Sequence, residues 1–95
     1  MILQKNNTII TYMQQQDEKL LLEFGKIIAR IRKNKSTSLN KFAFEKGGIT
    51  SATLSRIENG LVDFKFSTLI KLACALEIPL DALFKEFKFH YTIDE

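Results

Sequence analysis

The sequence predicts a mainly α domain of five helices, with a short β element at a terminus. Three observations carry that expectation. Apolar residues recur every three to four positions over residues 18–34, 39–46, 51–59, 66–77 and 80–84, the spacing that lays one buried stripe along a helix. Gly47, Gly48, Gly60 and Pro79 stand between these runs, where helices stop and restart. From Phe87 to Ile93 the period changes to strict alternation, the mark of a half-buried strand.

Ninety-five residues fit one domain with one modest core. Hydrophobic residues make up 45% of the chain and eight are Phe, enough to fold without staples. Cys74 is the only cysteine, so no internal disulfide is available. Its neighbours Leu72, Ala73, Ala75 and Leu76 make it read as a buried, inert thiol. No apolar run approaches a membrane span, and the first residues lack the apolar core of a secretory signal. A cytoplasmic protein is expected. The net charge of +3 supports a polyanionic partner only weakly. Its distribution says more: Lys26, Arg30, Arg32, Lys33, Lys35, Lys41 and Lys46 share one stretch with Glu45 as the sole acid.

Residues 1–17 read as an N-terminal arm. Thr8 to Met13 is β-branched and aromatic in character, a candidate short strand; a disordered arm is the other reading. Gln14 to Asp17 reads as a polar connection, with Asp17 a candidate cap. The first helix is expected from Glu18 to Asn34. Leu20, Phe24, Ile27, Ile28 and Ile31 form its buried stripe, and Lys26, Arg30 and Lys33 lie off it. Gly25 weakens that helix by about 1 kcal/mol against Ala. It can let a neighbouring helix approach, or let a backbone group meet phosphate.

Ser38 can cap a second helix, Leu39 to Lys46, whose inner stripe is Leu39, Phe42 and Ala43. Phe44 falls off that stripe, to pack under the arm or stay partly exposed. Gly47 and Gly48 turn the chain. The third helix runs from Ser51 to Asn59. Ile49, Leu54 and Ile57 can face inward, which leaves Ser51, Ala52, Ser55 and Arg56 facing out. Thr50 is its N-cap candidate, and Gly60 can close it in the positive-φ position. Two short helices joined this way, on a basic chain, make a candidate helix-turn-helix for DNA.

Residues 61–65 form a loop. The fourth helix spans Phe66 to Glu77, with Leu69, Leu72, Ala73 and Leu76 inward. Pro79 ends it and can open the fifth helix, anchored by Leu80, Leu83 and Phe84. Phe42 and Phe84 sit at core spacing. In the last stretch Phe87, Phe89, Tyr91 and Ile93 alternate with Lys88, His90, Thr92 and Asp94. A lone strand needs a partner, either Thr8–Met13 or the same strand of a second copy.

Residues 24–84 resemble the phage-repressor-type, or XRE-like, helix-turn-helix family. Phe24 to Arg32 looks like its opening helix and Ser38 to Ala43 like the start of its second. Thr50 to Gly60 resembles its recognition helix and closing turn. Thr68 to Ile78 and Leu80 to Phe84 resemble its fourth and fifth helices. The resemblance implies a compact five-helix DNA-binding domain, commonly a dimer on a near-palindromic operator. With the periodicity of the flanking segments, the chain is expected to divide into an arm (1–17), a helix-turn-helix domain (18–84) and a C-terminal extension (85–95). The resemblance implies a structural salt bridge between Arg32 and Glu58. It places Ser51, Ala52, Ser55 and Arg56 against bases, and Asn59 and Lys65 against the DNA backbone. Two departures stand out. Leu39 occupies a position where the family usually has Gln, and the turn has two glycines where one is usual.

Chemistry sorts these positions. A guanidinium can pair bidentately with guanine, so Arg56 is the best base reader; a surface arginine or a phosphate contact is its alternative. Ser51 and Ser55 are weak readers, and Ala52 can touch a thymine methyl or keep the helix slim. Thr50 serves as a cap whose backbone neighbours can meet phosphate. Lys65 is a backbone contact or a solvated lysine. The row Phe87, Phe89, Tyr91 and Ile93 reads as a dimer contact ahead of a base-stacking platform.

An enzyme is not expected. His90 is the only histidine, no ligand set makes a metal site, and no Gly-rich phosphate loop follows a strand. No cofactor is expected either. The reading is a dimeric, sequence-specific double-stranded DNA-binding transcriptional regulator. Its alternative is a protein-interaction module, such as an antitoxin whose helical domain and terminal strand hold a partner protein.

Overall fold

The computed structural model describes residues 2–35, 38, 40–42 and 48–88, with residues 2–13 as backbone. Helix α1 runs from Ile2 to Asn34, not from Glu18. The N-terminal strand expected at Thr8–Met13 is therefore helix, and Asp17 lies inside it rather than capping it. The reason is cooperativity. Packing fixes the Leu20–Ile31 end, and each further residue then adds one hydrogen bond at little cost. The β-branched residues between 8 and 11 lower helix propensity only by tenths of a kcal/mol each, roughly. No Gly or Pro stands between Met1 and Phe24 to stop the propagation. A helix of 33 residues is about 50 Å long at ~1.5 Å per residue, and it accounts for the 52 Å long axis of the molecule.

Arg32 and Lys33 occupy the last turn of α1, where positive charge offsets the helix dipole. The Lys35 amide donates to the Arg32 carbonyl at 3.0 Å and ends the helix. Residues 40–42 are helical again. The Lys41 amide donates to Ser38 Oγ at 3.2 Å, so Ser38 caps this turn, and Phe42 is buried. Leu39, Ala43, Phe44 and Gly47 lie outside the described residues. Gly48 adopts φ +75°, which a residue with a Cβ takes only under strain.

Helix α2 is Ser51–Glu58. Helix α3 is Phe66–Leu76 and α4 is Leu80–Glu86. Pro79 stands at the N-cap of α4, one position before the first helical turn. Helix α1 packs on α2, and α3 packs on α4. The core joins Phe24 and Ile28 of α1, Phe42, Ile49, Leu54 and Ile57 around the turn, and Leu72, Leu76 and Leu83 beyond it.

Two packing expectations are corrected. Phe84 is 46% exposed rather than core. Helix α4 has only seven residues, and Leu83 fills its inner face. The aromatic contacts go elsewhere: the Phe24 ring meets Phe64 at 5.5 Å and Phe87, edge-on, at 5.6 Å. Cys74 is exposed. Leu72, Ala73, Ala75 and Leu76 are the buried residues of α3. Cys74 lies off that stripe, four residues from exposed Ile70 and eight from exposed Phe66. Phe87 and Lys88 are not in a strand, and Phe89, Tyr91 and Ile93 lie outside the described residues. Among the described residues, no helix is long and apolar enough to cross a membrane.

Candidate nucleic-acid interface

Three local devices fix the ends of α2. Thr50 Oγ1 accepts the Thr53 amide at 3.1 Å and also donates to Thr53 Oγ1 at 3.0 Å. That hydroxyl is committed to capping, a role that satisfies an otherwise unpaired first-turn amide. At the other end Gly60 adopts φ +69°. Its amide donates to the Ile57 carbonyl, and the Leu61 amide to the Arg56 carbonyl, the paired bonds of a Schellman closure. The Asn59 side-chain amide donates to the Ser55 carbonyl at 2.8 Å. Asn59 therefore has a capping bond within the helix. Neither this bond nor the part of Thr53 in the N-terminal cap has a signal in the spacing of the residues.

Leu54 and Ile57 are buried and turn one face of α2 to the core. The opposite face carries Ala52 and Arg56, both exposed, flanked by half-buried Ser51 and Ser55. These four lie at i, i+1, i+4 and i+5, so one helix presents them together. Lys65 is exposed and stands at the N-cap of α3 without a side-chain capping bond.

The orientation of α2 is set from α1. A Cβ added to Gly25 would fall inside contact distance of the Ile57 carbonyl oxygen and 2.6 Å from that of Glu58. Only a residue without a side chain lets the two backbones meet so closely. Two helical turns on, Arg32 Nε donates to Glu58 Oε2 at 2.6 Å and Arg32 Nη2 to Glu58 Oε1 at 2.9 Å. Both side chains are 7% exposed. This is the bidentate geometry in which a guanidinium binds a carboxylate most strongly. The hydrogen bond to Glu58 raises the Arg32 pKa above its ordinary value, burial opposes this, and the Glu58 charge adds to the rise. Among the described residues, no three His, Cys, Asp or Glu side chains gather to hold a metal.

The arrangement is a short, slim helix with polar and cationic side chains outward and its rear anchored. A helix of this width fits a groove of duplex DNA, and hydroxyl and guanidinium groups are of the chemical kinds that hydrogen-bond to base edges or phosphates. A helix-turn-helix family model matches residues 28–83 of the chain. No curated protein matches it.

Proposed function

Because the chain belongs to the XRE-type helix-turn-helix family of DNA-binding transcription regulators, we propose that it binds a specific double-stranded operator through α2. Arg56 reads guanine, and Ser51, Ala52 and Ser55 complete the base-facing surface. Lys65, Asn59 and the backbone around Thr50 meet phosphates and set the register. The observation that carries this is the exposed Ala52–Arg56 face on a helix whose rear is fixed by Gly25 and the Arg32–Glu58 pair.

The protein acts as a dimer on a near-palindromic site. One such domain covers a single half-site, and a twofold axis supplies the second. The dimer contact is the alternating segment Phe89–Ile93. Phe87 is spent on its own chain, against Phe24.

Selection from random duplexes with the purified protein tests the reading. A near-palindromic consensus is expected. Enrichment of no sequence at all would remove operator recognition from the proposal.

A further inference from the structure

We infer that Lys26 and Lys33 form a second phosphate-binding strip on α1, which grips DNA beside the groove that receives α2. The inference rests on the DNA-binding reading above and deepens it.

A shallow groove separates α1 from the C-terminal end of α2. Lys26, Arg30, Arg32, Lys33, Glu58 and Asn59 line it. Two of its four cations already have partners. Arg32 is paired with Glu58, and Arg30 Nη2 lies 2.9 Å from Glu86 Oε2. Lys26 and Lys33 are exposed and form no ion pair among the described residues. The positive charge left over is therefore concentrated on these two side chains.

They stand seven residues apart, so two helical turns bring them to the same face, about 10 Å apart along the axis at ~1.5 Å per residue. Two flexible ammonium groups at this spacing can reach nearby phosphates on one strand, since each lysine stem adds its own reach to the separation. Position favours the same conclusion. Gly25, where α1 touches the α2 backbone, immediately precedes Lys26. Packing thus fixes the strip relative to the base-facing surface, as a contact that sets register requires.

The competing role for Lys33 is to offset the dipole at the end of α1. That effect fades within the last turn, so it does not reach Lys26.

The test is the double variant Lys26→Ala/Lys33→Ala in the full chain. Lys71→Ala/Lys85→Ala serves as a control with the same net charge, since Lys71 and Lys85 are exposed on α3 and α4. Each protein is titrated with selected and scrambled duplexes at several salt concentrations, and its thermal midpoint is measured. The salt slope of the Lys26/Lys33 variant should fall by about 1.8, or ~0.9 per phosphate. Its affinity should drop by the same factor on both duplexes, and the control variant should keep the wild-type slope. If the wild type binds DNA, a wild-type slope in the Lys26/Lys33 variant overturns the strip alone. So does an equal fall in the control, or a loss of thermal midpoint with affinity unchanged. A wild type that binds no duplex overturns the DNA reading itself.

Discussion

The backbone of Gly25 touches the backbone of Glu58, closely enough that an added Cβ would stand 2.6 Å from the Glu58 carbonyl oxygen. In an open helix Ala would be favoured over Gly by about 1 kcal/mol. Here the sign should reverse. Gly25→Ala is expected to destabilise the protein by roughly 1–3 kcal/mol, the usual cost of overpacking. Chemical denaturation of the two proteins measures it, and a more stable variant would contradict the close approach.

Arg32 and Glu58 share a dry, bidentate contact. Removing one partner leaves a buried charge unpaired, so Glu58→Ala should cost about 3–5 kcal/mol. The double variant Arg32→Met/Glu58→Leu should regain much of that, since neither buried charge remains. The Arg32 pKa is raised on folding. Its contribution is therefore full below its unfolded value and is lost only as pH rises through the folded one, in strongly alkaline solution. Thermal melts of the wild type between pH 6 and 9 should show no change traceable to Arg32.

Glu77 adopts φ +56°, and the Ile78 amide closes α3 by donating to the Ala73 carbonyl. A residue with a Cβ pays about 1 kcal/mol or more for this conformation. Glu77→Gly should stabilise the protein by roughly 0.5–1 kcal/mol, less what Gly gains in the unfolded chain. Denaturant midpoints decide it, and a lower midpoint would mean that the Glu77 side chain outweighs the strain.

Arg56→Ala and Lys65→Ala should fail differently. The first should lose about 1–3 kcal/mol on the selected operator and little on scrambled DNA. The second should weaken both alike and lower the salt slope by about one unit. Equal losses on both duplexes for Arg56→Ala would defeat its base-reading role.

Truncation after Lys88 removes residues 89–95 and keeps Phe87 on Phe24. Sedimentation at low micromolar concentration should show the full chain as a dimer and the truncated chain as a monomer. A truncated chain that stays dimeric would move the contact elsewhere, with the exposed Phe66 and Ile70 of α3 the first residues to test.

The residues that punctuate α2 were legible because their chemistry is local. Thr50 and Gly60 announce a cap and a stop without reference to the rest of the chain. The Arg32–Glu58 contact joins residues 26 positions apart, and only the family resemblance pointed to it. What periodicity missed depends on competition. Leu83 and Phe84 are neighbours, and nothing in their spacing says which one the core will take. Phe64 and Phe87 could be assigned to Phe24 only once the fold brought three distant rings together. The helical state of residues 2–17 was hidden for another reason: β-branched residues argue for a strand locally, while a helix already anchored downstream overrides them.

The unbroken α1 also makes the molecule a lever. Residues 2 and 34 belong to one helix, and its downstream half is seated against α2. Anything attached near Ile2 is thereby indexed to α2 in both distance and azimuth. Inserting one residue upstream of Leu20 would swing that attachment by about 100° and shift it by ~1.5 Å. Inserting seven would nearly restore its heading, some 10 Å farther out.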